Sequence, residues 1–174
     1  MKYFNVYTDG SFGEDGLTHG GIVFVKSDNS EVLSVSHVQT RVREFVSMRN
    51  VGGEVLAAWA AIFAVANSVK ESNETNGLET YQLNLTYDYE GVGKWLNGQW
   101  KCKKHATQWY RDSIKAILAT VPNLTLNLIW VRGHMGNEYN EVADRVASYD
   151  KSTRYPNTDI CDMDELLRTD YGFM

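Results

Sequence analysis

The stretch Lys2-Tyr3-Phe4-Asn5-Val6-Tyr7-Thr8-Asp9 runs straight into Gly10-Ser11. Aromatic and branched residues at that density favour an extended strand, and the Asp-Gly pair ends it, so the segment reads as a core strand that carries Asp9 to one rim of a sheet. Alone, an Asp-Gly pair is ordinary turn punctuation. It gains weight because acids recur at other element ends. Thr80 to Asp88 is again strand-like and finishes on Asp88, Gly52-Gly53-Glu54 opens a long apolar run, and a late helical stretch carries Asp144.

Taken in order, Gly21 to Val25 and Glu31 to Val38 read as strands around the turn Asp28-Asn29-Ser30, giving three antiparallel strands in series. His37 falls on a half-exposed strand face in this reading and has no role. Arg41 to Val51 is a connecting segment. From Gly52 the spacing of Val55, Leu56, Trp59, Ile62, Phe63 and Val65 predicts a helix to Asn67, buried over much of its circumference. Glu54 then sits in the first turn, where the helix dipole favours a carboxylate. The two adjacent glycines suggest instead that a backbone or a ligand approaches closely there. After a polar loop from Asn73 to Gly77, the crossover makes the Asp88 strand a parallel neighbour of the first, so that Asp9 and Asp88 share one sheet edge. Tyr89 to Leu96 forms a short helix, Thr107 caps a helix from Gln108 to Leu118, and Leu124 to Val131 is the last strand. A glycine-flanked loop, Gly133-His134-Met135-Gly136, leads to a helix from Glu138 to about Tyr149 capped by Asn137.

A chain of 174 residues accommodates one domain with a proper core plus a tail. No apolar run approaches the roughly 20 residues that span a bilayer. The N-terminus has no basic stretch followed by an apolar segment, so a cytoplasmic protein without membrane attachment is expected. Cys102 and Cys161 are too few for a disulfide framework and too isolated for a zinc site. The formal net charge of -5 argues against binding nucleic acid by bulk electrostatics. Lys94, Lys101, Lys103, Lys104, His105, Arg111 and Lys115 nevertheless cluster, while Asp159, Asp162, Asp164, Glu165 and Asp170 gather near the end. A local basic surface is compatible with an acidic total.

Hard divalent cations are held by carboxylate oxygens, and phosphate chemistry often uses two such ions about 4 Å apart. Acids drawn from two strand ends, a helix start and a late helix would supply that cage. At this point the sequence resembles a known family. Tyr7-Thr8-Asp9-Gly10-Ser11, Gly53-Glu54-Val55-Leu56-Ala57-Ala58, Tyr87-Asp88-Tyr89-Glu90-Gly91 and the run from Val131 through Gly133-His134-Met135-Gly136 to Asp144 are similar, in order and spacing, to the motif series of type 1 ribonucleases H. The similarity covers Lys2 to Ser148 and is greatest to the branch found in viroplasmin-associated ribonucleases H, without the amino-terminal viroplasmin-like domain often attached to them.

The resemblance implies an α/β ribonuclease H-like fold with a mixed five-stranded sheet flanked by helices. It implies a catalytic domain over residues 1–149, followed by an acidic tail over 150–174 that is docked or disordered. The implied activity is endonucleolytic hydrolysis of the RNA strand of RNA/DNA hybrids with two Mg2+ ions, for which Mn2+ can substitute, leaving 5′-phosphate and 3′-hydroxyl ends. By matching positions Asp9, Glu54, Asp88 and Asp144 are metal ligands, and His134 matches a loop histidine that assists proton transfer or product release.

For the hybrid, Gly10, Ser11, Asn50, Gly53 and Glu90 occupy the positions where the family contacts the substrate with backbone and short polar groups. Two of the substrate positions depart from the pattern: Glu90 stands where many relatives have glutamine, and Arg49 falls where many use a threonine on a DNA phosphate. Lys94-Trp95 through Trp100-Lys101-Cys102-Lys103-Lys104 to Trp109 resembles a shortened substrate-handling protrusion; Trp100, Lys101 and Lys103 are assigned to the hybrid, and Trp95 and Trp109 to the core. Leu166 and Leu167 of the tail are placed on one or two docked helical turns. The tail could also contact a replication partner or compete with nucleic acid for the lysines. A monomer is expected, since no heptad pattern or long apolar edge speaks for an oligomer. Two alternatives stay open: a hybrid-binding module without turnover, and a related metal nuclease acting on another nucleic acid. Clustered carboxylates facing a phosphate backbone argue against the first, and the Asp-Gly-Ser opening with the His134 loop argues against the second.

Overall fold

The computed structural model describes residues 1–174. Its strands are β1 (Lys2–Phe12), β2 (Thr18–Val25), β3 (Val32–Thr40), β4 (Tyr81–Tyr87), β5 (Leu124–Trp130) and β6 (Ile160–Asp162). Its helices are α1 (Arg43–Val46), α2 (Asn50–Asn76), α3 (Gly91–Leu96), α4 (His105–Ala119) and α5 (Glu138–Val146). A π-helical turn, Leu166–Asp170, follows β6. The sheet order is β5-β4-β1-β2-β3-β6. The first three strands pair antiparallel through short turns, whereas β4 and β5 add parallel to β1 because helices carry the chain back between them.

The mixed α/β sheet agrees with expectation, with one difference in strand count: there are six strands, not five. The sixth is β6, which adds parallel to β3 through the register His37↔Ile160, Val38↔Cys161 and Gln39↔Asp162. A three-residue strand with an exposed pattern has no periodicity to read, and its partner supplies the reason it forms.

Alternation along β1 builds two cores. Val6, with Ile22 and Val38, faces α2, while Tyr7, with Val23 and Val25, faces Ala143 and Val146 of α5. Helix α2 starts at Asn50 rather than Gly52, and continues through the expected polar loop to Asn76. The extra turns are held by reciprocal amide bonds between Asn73 and Asn123, and by Ser72 against the Tyr81 hydroxyl at 2.7 Å. By length and composition this helix is long and apolar enough to cross a membrane, which the sequence reading missed because polar residues interrupt its apolar run; 67% of that stretch is buried in this core. Helix α4 starts at His105 instead of Gln108; Thr107 still serves its end, accepting from the Lys104 N–H at 3.3 Å. Asn137 caps α5 as expected, its side chain accepting from the Asn140 N–H at 3.0 Å.

His37 is not half-exposed but fully buried. Its Nδ1 lies 2.6 Å from the Val146 carbonyl and its Nε2 lies 2.8 Å from His19 Nδ1, whose Nε2 in turn meets Asp15 at 2.9 Å. A carbonyl only accepts, so His37 donates from Nδ1 and, as a neutral ring, accepts from His19 at Nε2. Burial drives this ring to its neutral form and pulls its pKa down to about 4.

The unfolded chain therefore binds a proton at His37 that the fold refuses between pH 6.5 and about 4, and stability from this group is lost on acidification. In chemical denaturation at stepped pH, His37→Gln, which keeps one donor and one acceptor without titrating, should flatten that slope by on the order of 1–3 kcal/mol across the window.

Candidate active site

The site begins with a contact between two backbones. A Cβ added at Gly10 would stand 2.3 Å from the Glu54 nitrogen and 2.5 Å from the Asn50 carbonyl oxygen, and one at Gly53 would stand 2.0 Å from the His19 carbonyl oxygen. Only glycines allow α2 to lie this close to β1 and β2. Glu54 thereby emerges beside Asp9, one turn inside the helix rather than in its first turn, so the helix dipole does not account for it.

Asp9 and Glu54 are 5% and 3% exposed, and Asp88 follows the end of β4, the parallel neighbour of β1, half-buried. One carboxylate oxygen from each of the three lies within 4.8 Å of the others. The Gly10 N–H donates to Asp9 Oδ1 at 2.9 Å, whereas Glu54 Oε2 is buried without a hydrogen-bond partner. Burial pushes Asp9 up to about 7, with the charges of Asp88 and Asp144 acting in the same direction against hydrogen bonds from Glu54 and Gly10. Glu54 is raised well above the ordinary range, first by burial and then by Asp9. Like charges held this close in a shielded site either share protons or recruit a cation.

A divalent ion fits this group on the chemistry present: hard oxygen donors, an orphaned Glu54 oxygen, and a repulsion that such an ion would cancel. Asp144, exposed on α5, contributes its charge to Asp9 but no oxygen to the three-carboxylate group. Its helix is pinned at the C-terminal end by Ser11 Oγ on the Ala147 carbonyl and His37 on the Val146 carbonyl, each at 2.6 Å. This holding role of His37 escaped the sequence reading, since nothing in a strand pattern distinguishes a buried histidine from a surface one.

The remaining sequence-derived residues surround the cluster. His134 is exposed with a left-handed φ of 57°, on a loop rooted at Gly133, where a Cβ would stand 3.1 Å from Asp88 Oδ2. Asn50 is exposed at the start of α2. Arg49 precedes it at φ 54° and ψ −126°, a conformation costly for a side chain, with its carbonyl accepting from Thr18 Oγ1 at 3.2 Å and its guanidinium over the Phe12 ring. Glu90 pairs with Lys94 at 3.3 Å, so its carboxylate is partly engaged within the chain. Trp100 is half-buried against Tyr89 and Trp95 under the Lys94 ammonium, and Trp109 is a core residue. Lys101, Lys103 and Lys104 are exposed and line a groove of about 420 Å³ with Ser47, Met48, Val51, Tyr89, Trp95 and Thr107. A larger groove, about 490 Å³, lies at the opposite end of β1 among Tyr3, Phe4, Phe24 and Leu33, away from the carboxylates.

A family profile described as RNase H matches residues 1–152. Ribonuclease H of Neorickettsia sennetsu is 30% identical over 161 residues, covering 84% of this chain and 91% of that protein. Ribonuclease HI of Haemophilus influenzae is 25% identical over 151 residues, covering 84% and 88%. Among solved structures, RNase H1 from the archaeon Halobacterium salinarum superposes with a TM-score of 0.59 at 20% identity, over 83% of this chain and 94% of that one. LC11-RNase H1, solved in complex with an RNA/DNA hybrid, gives 0.56 at 20% identity over 81% and 91%.

Because the fold raises the Asp9 pKa above its unfolded value, the stability this group contributes is complete below pH 4 and lost as pH rises through about 7. At pH 8 in chelator, Asp9→Asn should therefore melt about 2–6 °C above the parent, and added Mg2+ should raise the parent far more than the variant. Calorimetric scans with and without metal check both.

Proposed function

This chain belongs to the RNase H family and is a ribonuclease H, and from that premise we propose that it cuts the RNA strand of RNA/DNA hybrids internally, leaving 5′-phosphate and 3′-hydroxyl ends. The observation that carries the reading is the carboxylate cluster of the buried Asp9 and Glu54 with the half-buried Asp88, together with the orphaned Glu54 oxygen and the raised pKa values of Asp9 and Glu54. A module that only bound a phosphate backbone would lose affinity from such a cluster.

In this reading Asp9, Glu54 and Asp88 hold Mg2+, with Asp144 completing the set from α5 and Mn2+ able to substitute. Two bound ions would supply Lewis-acid activation of water and neutralise charge at the departing 3′ oxygen. Asp9, inside β1, and Asp88, immediately after β4, are carried by neighbouring strands of the sheet and fix the geometry. His134, exposed on the loop whose Gly133 lies against Asp88, is assigned to proton transfer or product release. Asn50, Arg49 and the Gly10–Gly53 backbone present groups beside the carboxylates. Lys101, Lys103 and Lys104, with the edge of Trp100, meet the phosphates and sugars further out. A monomer as the working unit is part of the same proposal. The free thiols Cys102 and Cys161 support a reducing compartment such as the cytoplasm.

With end-labelled hybrid, double-stranded RNA, duplex DNA and single-stranded RNA of one sequence, cutting should be confined to the RNA of the hybrid and should stop in chelator. Asp88→Asn should keep its fold and hybrid binding while losing more than about 100-fold in turnover; undiminished turnover would remove Asp88 from the site. Charge reversal at Lys101, Lys103 and Lys104 should weaken binding and reduce its salt dependence by about one unit of slope for each phosphate no longer neutralised. Unchanged affinity would detach the lysine groove from the substrate.

A further inference from the structure

The two walls of the lysine groove come from separate parts of the chain. Ser47, Met48 and Val51 stand at the junction of α1 and α2, and Lys101, Lys103, Lys104 and Thr107 stand at the entry to α4. Phe173 touches the segments behind both. The Phe173 ring, 3% exposed, lies 5.2 Å from Phe45 of α1, and 4.4 Å and 5.6 Å from His105 and Trp109 of α4. His105 directly follows Lys104. Phe45 is tied to α2 as well, because a Cβ at Gly52 would stand 2.2 Å from its carbonyl oxygen.

The segment ending in Phe173 is fastened at its other end. β6 extends the sheet on β3, and Asp164, 8% exposed, accepts from Thr40 Oγ1 at 2.6 Å and from the Arg41 N–H at 3.0 Å. Met163 and Leu167 are buried, Tyr171 packs against Trp59 and Trp109, and the Phe173 N–H donates to the Leu167 carbonyl at 3.1 Å. The segment is held at both ends, and the Phe173 ring is inserted between the two segments that bear the groove walls. The acids Asp162 and Asp164 face Arg41 on this strap, on the opposite side of the sheet order from β5.

We propose that Phe173 is a positioning residue for the substrate: by wedging between α1 and the start of α4 it sets the spacing of the lysine groove, and so the reach of Lys101, Lys103 and Lys104 to the phosphates of the hybrid. The proposal rests on the hybrid reading given above. Removing the ring lets the walls move relative to each other without touching Asp9, Glu54 or Asp88. Substrate binding is therefore the quantity that responds, and the chemical step is not.

The test compares the full-length parent with Phe173→Ala, Phe173→Leu and Val69→Ala, all below their melting temperatures and with rates normalised to folded protein. Val69 is fully buried at the far end of α2, so its truncation lowers stability without touching the groove. Phe173→Ala should raise KM for the hybrid about tenfold and flatten the salt dependence of KM by about one unit of slope, with kcat within about twofold of the parent. Phe173→Leu should fall between, and Val69→Ala should change melting temperature alone. If Phe173→Ala does not fold, the leucine variant carries the same two readouts. A KM and salt slope that stay at parental values in the folded Phe173 variants would overturn the proposal and leave the tail a stabilising appendage. Absence of hybrid cleavage by the parent itself would overturn the underlying reading instead.

Discussion

The whole arrangement depends on α2 lying backbone against backbone on β1 and β2. Side chains normally keep the backbones of packed elements apart; here Gly10 and Gly53 let the helix nitrogen of Glu54 and the carbonyl of His19 come close to the facing strand and helix backbones. The contact decides where a carboxylate can be placed. It puts Glu54, almost fully buried, next to Asp9 and within 4.8 Å of Asp88, a grouping that destabilises the metal-free fold and that a cation would relieve. The large α2 and β-sheet core offsets that repulsion, so the strain is stored where the chemistry needs it and supported by packing elsewhere.

The other parts of the molecule hold this contact in register. β4 runs parallel beside β1, which brings Asp88 to the same edge. On the opposite face, the buried histidine pair and Ser11 fix the end of α5 and with it Asp144. At the far side of α2, the aromatic cluster of Phe45, Trp59, Trp109, Tyr171 and Phe173 ties together α1, α2, α4 and the end of the chain. The helices that bear Glu54 and Asp144 are thus held from behind by groups outside the carboxylate cluster.

Much of this was legible in the residues. Asp88 is legible as the acid that ends a strand-like run, and the paired glycines before Glu54 signal the close approach that the structure contains; Asp9 lies on the expected strand but does not end it, because pairing with β2 carries β1 on to Phe12. What was not legible depended on distant partners. The start of α2 was misplaced because Arg49 adopts a left-handed backbone that only its surroundings, Thr18 and Phe12, impose. His37 looked like a surface strand residue because its partners, His19 and Val146, are far away in sequence. β6 has three exposed residues and exists only through β3, and the continuation of α2 past Asn67 depends on the Asn73–Asn123 amide pair. Local pattern located the acids; tertiary contacts decided the boundaries.

The central claim is that metal binding discharges a repulsion built into Asp9, Glu54 and Asp88. It is tested most directly by titrating Mg2+ into the metal-free protein by calorimetry at pH 7, in two buffers of different ionisation enthalpy. With Asp9 pushed up to about 7 and Glu54 raised well above the usual carboxylate range by burial, metal binding favours proton release, and the heats in the two buffers should differ in proportion to the protons expelled. The difference should shrink in Glu54→Gln. Tight binding with identical heats in both buffers would mean that the ion sits elsewhere and that the carboxylate triad is not the metal site.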